Sequence, residues 1–596
     1  MNEDDLRALI DAYRFGKLSR RRFNGIMASV GVTAPLAGQL LAWSGVATAQ
    51  TASDYKPSKR GGGGLLRLLW WQAPTMLNPH FGIGQKDLDA ARIFYEPLAA
   101  WDPDGNLVPI LAAEIPSLKN GDVASDGRSV TWRLKRNVTW HDGKPFSADD
   151  VVFTWEYVSD PTAATVSMGF YQEVKRVEKI DAHTVRVVFH EPTPVWARPF
   201  VGNFGLVIPK HQFDAFRGAK SRDAPSNLKP VGTGPYRFVD FKPGDLVRGE
   251  INPHYHEPNR PHFDAIEMKG GGDAVSAARA VLQTGEFDYA WNMLVEDEVL
   301  KRLEQGGKGR AIYADGSAVE RVLCNFSDPW TEVDGERSSA KTKHPSLTDS
   351  AVREALNLLV DRGSIQEFVY GRGGVATRNF LNNPARFRSP NMKWEFNVDK
   401  ANQLLEAAGW KRGKDGVRTR DGRPLRFVFQ TSINAPRQKC QQIIKGACQK
   451  AGIDLELKSV TAAVFFSSDV ANPDTFTKFY ADLQMFNNSG APDPWFFMNQ
   501  FVSWEIASKD NKWQGRNVSR WRNAEYDEIY RSLSGEFEPV KRAAKFIRLN
   551  ELIIENRVVI PLVNRPEVGA AVNRLRMTLS AWDSHLWLLK DWYREG

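Results

Sequence analysis

At 596 residues the chain is too long for one hydrophobic core, so two or three domains are expected. Its 42% hydrophobic and 25% charged residues are those of an ordinary soluble globular protein. The formal charge of +8 splits into +2 over residues 1–49, from six Lys/Arg against four Asp/Glu, and about +6 over everything else; no basic stripe with interleaved aromatics points to nucleic acid.

The chain opens with Ser19-Arg20-Arg21-Arg22-Phe23, which resembles the twin-arginine export motif. A modest apolar run over 26–43 follows, too short and too rich in glycine for a membrane anchor. Ala47-Thr48-Ala49 then offers the small residues a signal peptidase requires. The expectation is a twin-arginine signal peptide over 1–49, carried by Arg20 and Arg21 and cleaved after Ala49, with the mature protein in the periplasm.

Residues 50–64, polar and then four consecutive glycines, read as a linker. A first strand is expected over 65–71. The loop Pro74-Thr75-Met76-Leu77-Asn78-Pro79-His80 comes next, and Gly82 and Gly84 then allow close backbone approach to a ligand. These two glycines lack the third glycine and flanking pattern of a dinucleotide fingerprint. Val130, Trp132 and Leu134 alternate as in a half-buried strand. Asp142-Gly143 marks a hairpin turn, so His141 and Asp142 read as an exposed histidine beside a turn residue and not as a catalytic pair. Ser147 and Asp150 form a capping-box helix start.

Val231 to Pro258 holds a compact turn signal, Gly232-Thr233-Gly234-Pro235, in which glycine accepts positive φ and proline fixes φ. Tyr236, Phe238, Val239 and Phe241 then give a strand, Lys242-Pro243-Gly244-Asp245 breaks it, and Leu246, Val247 and Ile251 restart it as a hairpin. A strand over 263–269, a helix over 274–282 and a strand reaching Trp291 and Asn292 follow. Val352, Leu356, Leu359 and Val360 share one face of a helix over 348–361. Arg372 and Arg378 sit in a glycine-containing loop, where a guanidinium can pair with a carboxylate in a bidentate fork.

Asn397 caps a second helix closed by Gly409, and Cys440, Ile443, Ile444 and Ala447 line a third closed by Gly452. Strands over 425–430 and 453–457 flank that helix, the β-α-β order of a three-layer lobe. The remaining cysteines are Cys324 and Cys448; Cys440 and Cys448 stand roughly 12 Å apart along a helix, too far for a disulfide, and none has zinc-site spacing. Met485 to Phe497 reads MFNNSGAPDPWFF, and Pro539 starts a long helix over 540–556.

Several of these strings, in this order, resemble solute-binding proteins of ABC transporters, extracytoplasmic family 5 (peptide, dipeptide, oligopeptide and nickel type). They are the loop around Asn78; Tyr95-Glu96-Pro97-Leu98; GRSVTWRLKRNVTWHDGKPFSADDVVFTWEYV; Val231 to Phe238; Gly285 to Asn292; VREALNLLVDR; and Val559-Ile560-Pro561-Leu562. The resemblance runs from about Leu65 to about Leu575. It implies an α/β, two-lobed periplasmic-binding-protein (flytrap) fold with an extra N-terminal α+β subdomain. The implied division is 65–100 lobe I, 101–231 accessory subdomain, 232–318 lobe I again, 319–558 lobe II and 559–596 returning to lobe I. It further implies a monomer that captures a small peptide or peptide-like solute and delivers it to ABC permease and ATPase subunits at the inner membrane.

The resemblance places ligand contacts at Asn78, Gly84, Trp291, Asn292, Arg372, Arg378, Asn487, Asn488 and Trp495. Peptide-binding relatives anchor the peptide's α-amino group with an aspartate just before the Asp493-Pro494 equivalent. That position falls near Gly490, and no carboxylate stands there, so a free α-amino ligand is disfavoured. No G-x-S-x-G, Walker A or H-E-x-x-H motif is present, and the ten histidines lack ligand spacing. No catalytic residue, metal site or cofactor is therefore assigned. The alternative is an exported twin-arginine-dependent redox or hydrolytic enzyme.

Overall fold

The computed structural model describes residues 57–595 apart from 83, 294, 467–470, 512 and 514, together with Leu9, Ala12 and Ile26. Arg20, Arg21 and the cleavage after Ala49 lie outside the described residues. The chain divides into two compact units. One comprises residues 57–315 with the stretch from Pro566 onward; the other is built on Gly316–Arg565.

The first unit is built on a seven-stranded sheet in the order Gly309–Ala314, Glu567–Val572, Tyr289–Ala290, Leu65–Trp70, Ala265–Gly270, Leu246–Ile251, Tyr236–Lys242. Its middle three strands are parallel, with Leu65 opposite Ala265 and Trp70 opposite Gly270. The four glycines expected to be a linker are instead held down. Gly61 and Gly63 donate to the carbonyls of Pro261 and His262, and Gly62 and Gly64 each donate to the Asp264 carboxylate at 2.8 Å. A distant carboxylate accepts what local composition reads as flexible chain.

Within 101–231, strands Ser129–Arg133, Thr184–Phe189 and Val174–Asp181 form an antiparallel sheet. Helix Ala148–Ser159 packs on it and starts with the expected Ser147/Asp150 capping box. This part is not a separate compact unit. Trp132, Trp140 and Tyr157 belong to the same continuous core as Leu66, Trp70 and Trp592.

The Gly232–Gly234 turn shows why the two parts fuse. A Cβ on Gly232 would fall 1.8 Å from the Phe94 carbonyl oxygen, and one on Gly234 would fall 2.7 Å from it. Gly234 donates its N–H to that carbonyl at 2.8 Å. These glycines therefore serve backbone contact, not positive φ, which neither adopts. His141 completes the joint. Its Nδ1 accepts from Gly232 N at 3.0 Å and its Nε2 lies 3.0 Å from the Gly234 carbonyl, so the expected exposed histidine is a half-buried clamp. Burial holds its pKa down to about 4, favouring the neutral ring that can both accept and donate.

The second unit carries a six-stranded sheet in the order Val375–Ala376, Val559–Asn564, Val319–Cys324, Leu483–Phe486, Arg426–Ser432, Asp454–Val460. Successive side chains alternate between two cores. Val322, Cys324, Met485 and Ile560 join the helices Ser350–Leu358, Val398–Ala407 and Ala435–Ala451. Leu323, Phe486 and Val559 join Phe380, Phe497 and the helix Pro539–Glu555. This is the three-layer α/β arrangement expected for the second lobe. All three cysteines are buried thiols.

One boundary differs from expectation. The strand Val559–Asn564, read as the return to the first lobe, pairs with Val319–Cys324 inside the second unit, and all six of its residues are buried. A strand apolar on both faces needs neighbours on both faces. The chain therefore crosses at Asp315/Gly316 and Arg565/Pro566, not at 319 and 559.

Candidate functional site

In open α/β sheets ligands gather at the carboxyl ends of parallel strands, and each unit presents such an end. In the first unit it is formed by Trp70, Gly270 and the residues after Ala290. Trp70 stacks on Trp291 with ring centroids 6.1 Å apart and planes at 2°. Trp71 lies against Trp291 at 6.3 Å and donates its indole N–H to the Asn292 carbonyl at 3.0 Å. Asn292 holds φ at +57°, a left-handed conformation that asparagine tolerates better than most residues. Trp291 is thus largely a packing residue at 6% exposure, and Trp71, half-buried beside it, is the indole that sequence reading missed.

Beneath this stack lies Asp89, fully buried. It accepts from Trp70 Nε1 (3.1 Å), Gln85 Nε2 (2.8 Å), Ser584 Oγ (2.7 Å) and His585 N (3.2 Å). Burial raises its pKa to about 7 in spite of these four donors. The Tyr289 hydroxyl lies 2.5 Å from Nδ1 of His585, whose pKa burial lowers to about 4.

Gly84 precedes helix Gln85–Arg92 as its half-buried N-cap. Asn78 is placed differently from expectation. It is 1% exposed, its Nδ2 donates to Asn227 Oδ1 at 2.7 Å and its Oδ1 accepts from His80 N at 2.9 Å. The side chain is spent in holding its own loop, which Asp87 pins further by accepting from the N–H groups of Thr75 and Met76.

In the second unit the corresponding end is formed where Arg426–Ser432, Asp454–Val460 and Leu483–Phe486 finish. Helix Ala435–Ala451 begins there, capped by Asn434. Beside it Glu320, fully buried, accepts both Nε and Nη2 of Arg437 at 3.0 Å and Nη1 of Arg565 at 3.1 Å. Burial alone would raise the Glu320 pKa, but the charges and hydrogen bonds of Arg437 and Arg565 outweigh it and hold the carboxyl below its ordinary range. The cluster carries one anion against two cations.

Arg372 and Arg378 are both exposed on the loop that leads through Val375–Ala376. Asn487 is half-buried. Asn488 donates Nδ2 to Gln500 Oε1 at 3.4 Å, leaving its buried Oδ1 without a hydrogen-bond partner among the described residues. Trp495 opens helix Trp495–Met498, with its ring 6.3 Å from that of Tyr530. Its neighbour Asp493 is committed elsewhere: it accepts Nε and Nη2 of Arg542 at 2.8 and 2.9 Å and caps Trp495 N at 2.9 Å.

Gly490 has no room for a side chain, since a Cβ there would fall 2.8 Å from both Cβ and Cγ of Phe497. Unanticipated from sequence are three exposed apolar residues on the segments that follow these strands: Ile433 (54%), Phe466 (45%) and Phe496 (56%). Ile433 donates its N–H to Val460 O, and Phe466 lies 6.5 Å from Phe486. No motif marks them, because an exposed apolar residue after a strand looks like any other loop residue. No group of three or more His, Cys, Asp or Glu side chains suited to a metal ion occurs among the described residues.

Residues 106–509 match the family described as bacterial extracellular solute-binding proteins, family 5. Among curated proteins, the oligopeptide-binding protein AppA of Bacillus subtilis is 26% identical over 91% of this chain and 93% of its own length. The glutathione-binding protein GsiB of Pectobacterium atrosepticum is 26% identical over 57% of this chain and 60% of its own. Among solved structures, AppA of B. subtilis in complex with a nonapeptide aligns with a TM-score of 0.64 at 23% identity, covering 91% of this chain and 100% of that one. The substrate-binding protein CtaP of Listeria monocytogenes aligns with a TM-score of 0.72 at 21% identity, covering 89% and 99%.

These likenesses bear out the two-lobed α/β fold and favour solute capture over the exported-enzyme alternative. With well over half its length matched by the family model, the chain belongs to the bacterial extracellular solute-binding proteins of family 5.

Proposed function

We propose that this protein is the capture component of an ABC importer. It takes a peptide or peptide-like solute in the periplasm and delivers it to a membrane permease driven by ATPase subunits. The observation that carries the reading is the pairing of two compact α/β units, each with a carboxyl-end face of parallel strands, in a chain of this family. Closure does the work. Solute that contacts both units has higher affinity for the closed state, and that differential affinity shifts the population. The protein acts as a monomer, exported by the twin-arginine route through Arg20 and Arg21.

The chemistry of the faces narrows the solute. The stretch 487–490 offers amides at Asn487 and Asn488 and no carboxylate, Phe497 leaves no space for one at Gly490, and Asp493 is taken by Arg542. A free α-amino group therefore has no acidic anchor there. Ile433, Phe466 and Phe496 suit apolar side chains, Trp71 (backed by the packed Trp291) and Trp495 supply indole surface, and Arg372 and Arg378 suit a carboxylate. Asn292 and Gly84 offer backbone and amide contacts. The favoured solute is a peptide held through its backbone, its apolar side chains and its carboxylate.

The test is native mass spectrometry of protein purified from periplasm without refolding, followed by calorimetry with whatever is released. Recovery of a peptide-like molecule that rebinds supports the reading. Protein that carries nothing and binds no component of a tryptic casein digest refutes it.

A further inference from the structure

The first residues past the crossing at Asp315/Gly316 are held from one side by the other crossing segment. Asn564 ends the strand Val559–Asn564, and its Nδ2 donates to Gly316 O at 3.0 Å and Ala318 O at 2.9 Å. Arg565 N donates to Ala318 O at 2.8 Å. Asn383 Nδ2 spans Gly316 O and Asn564 Oδ1, both at 3.0 Å. The two crossing segments are therefore zipped together within the second unit.

Ser317 lies between the two carbonyls so held, and its side chain bonds elsewhere. Its Oγ accepts from Gly490 N at 2.7 Å and donates to Gly490 O at 3.2 Å. A hydroxyl has a single donor; here that donor and a lone pair both go to one residue of the 487–490 loop. Ser317 is 6% exposed, so water is a poor substitute partner. The same loop has a second tie to the strand after the crossing. Gln500 Oε1 accepts from both Asn488 Nδ2 and Arg321 Nη2, each at 3.4 Å.

We infer that Ser317 is a positioning residue that couples the solute-facing 487–490 loop to both chain crossings. This rests on the capture-by-closure reading. A solute that shifts the loop moves Gly490, Gly490 moves Ser317, and the Asn564 and Arg565 bonds carry the displacement to the second crossing.

The coupling is tested without solute, by hydrogen exchange read by mass spectrometry on the segments 316–323, 483–492 and 559–566. Ser317→Ala is expected to raise exchange roughly tenfold in all three, since two hydrogen bonds are lost from a cooperative local unit. Ser317→Thr, which keeps the hydroxyl, is expected to stay at the wild-type level. A rise confined to 483–492 would mean a merely local role and overturn the inference. A parallel arm adds tryptic casein digest to protein bearing dyes at Lys119→Cys and Asp415→Cys, exposed sites one in each unit. Reduced energy-transfer change in Ser317→Ala relative to wild type extends the coupling to closure. No response in wild type tells against the capture reading, while the exchange result still decides the coupling.

Discussion

The Glu320 cluster gives the sharpest quantitative expectation. Glu320→Gln preserves the shape of the side chain but removes the carboxylate that pairs with both Arg437 and Arg565, and it turns an acceptor into an NH2 group that meets N–H donors. Breaking a buried ion pair from one side costs about 3–5 kcal/mol. Arg565 has 24% of its side chain exposed, so solvent screens its share and the lower end applies. For a unit of this size about 3 kcal/mol corresponds to roughly 6–12 °C in its thermal midpoint.

The assay is differential scanning calorimetry, read transition by transition because two units need not unfold together. The transition of Gly316–Arg565 is expected to fall while the other stays. The pH dependence has a definite sign. Glu320 has a lowered folded pKa, so its stabilisation is fully present above the ordinary value of 4.5 and is lost as pH falls through the lower folded value. The gap between wild type and Glu320→Gln should therefore be largest near neutrality and shrink below about pH 4.5. A variant within 2 °C of wild type at neutral pH, by the same rough conversion, or a gap that does not narrow in acid, refutes the reasoning.

Gly490→Asp should not create an amine anchor: the new side chain meets Phe497, at a cost of about 1–3 kcal/mol, and calorimetry with trialanine should show no gain in affinity over wild type. Glu96 lies buried, with burial raising its pKa but His256, Arg92 and Tyr255 bringing it down to about 2; Glu96→Gln should make acid unfolding shallower between about pH 4.5 and 2, as followed by far-ultraviolet circular dichroism, and an unchanged profile counts against it. Trp71→Phe and Trp291→Phe should each diminish the fluorescence change that recovered solute produces, whereas full retention in both moves the solute away from this aromatic face. Arg20→Lys with Arg21→Lys should abolish periplasmic yield, and normal yield removes the twin-arginine route.

Local signals were legible in the sequence because their physics is local. The Ser147/Asp150 capping box, the Asn397 cap and the left-handed Gly452 that closes helix Ala435–Ala451 all involve residues a few positions apart. The parallel strands around that helix follow from alternation and β-α-β order. Long-range bonds were not legible. Gly61–Gly64 reads as a linker until Asp264 is seen accepting its N–H groups. His141 reads as exposed until Gly232 and Gly234 close on it. Asn78 reads as a ligand contact until Asn227, 149 residues away, takes its amide.

The same distinction governs the candidate site. Polar groups near the two faces are largely consumed by the fold: Asn78 by Asn227, Asp493 by Arg542, Glu320 by two arginines, and the Gly490 backbone by Ser317. Among the described residues, Ile433, Phe466 and Arg378 stay exposed there, beside the half-buried amides of Asn487 and Asn488. An apolar contact gains free energy in proportion to area and discriminates weakly between neighbours in a series, whereas a buried polar partner rejects an analogue that leaves it unpaired. On the proposed reading this face should therefore tolerate many apolar sequences while demanding a carboxylate at one end. A spread of bound peptides that share apolar residues and a free carboxyl terminus is the expected composition of the recovered solute; a single polar compound would place selectivity in groups other than those left open here.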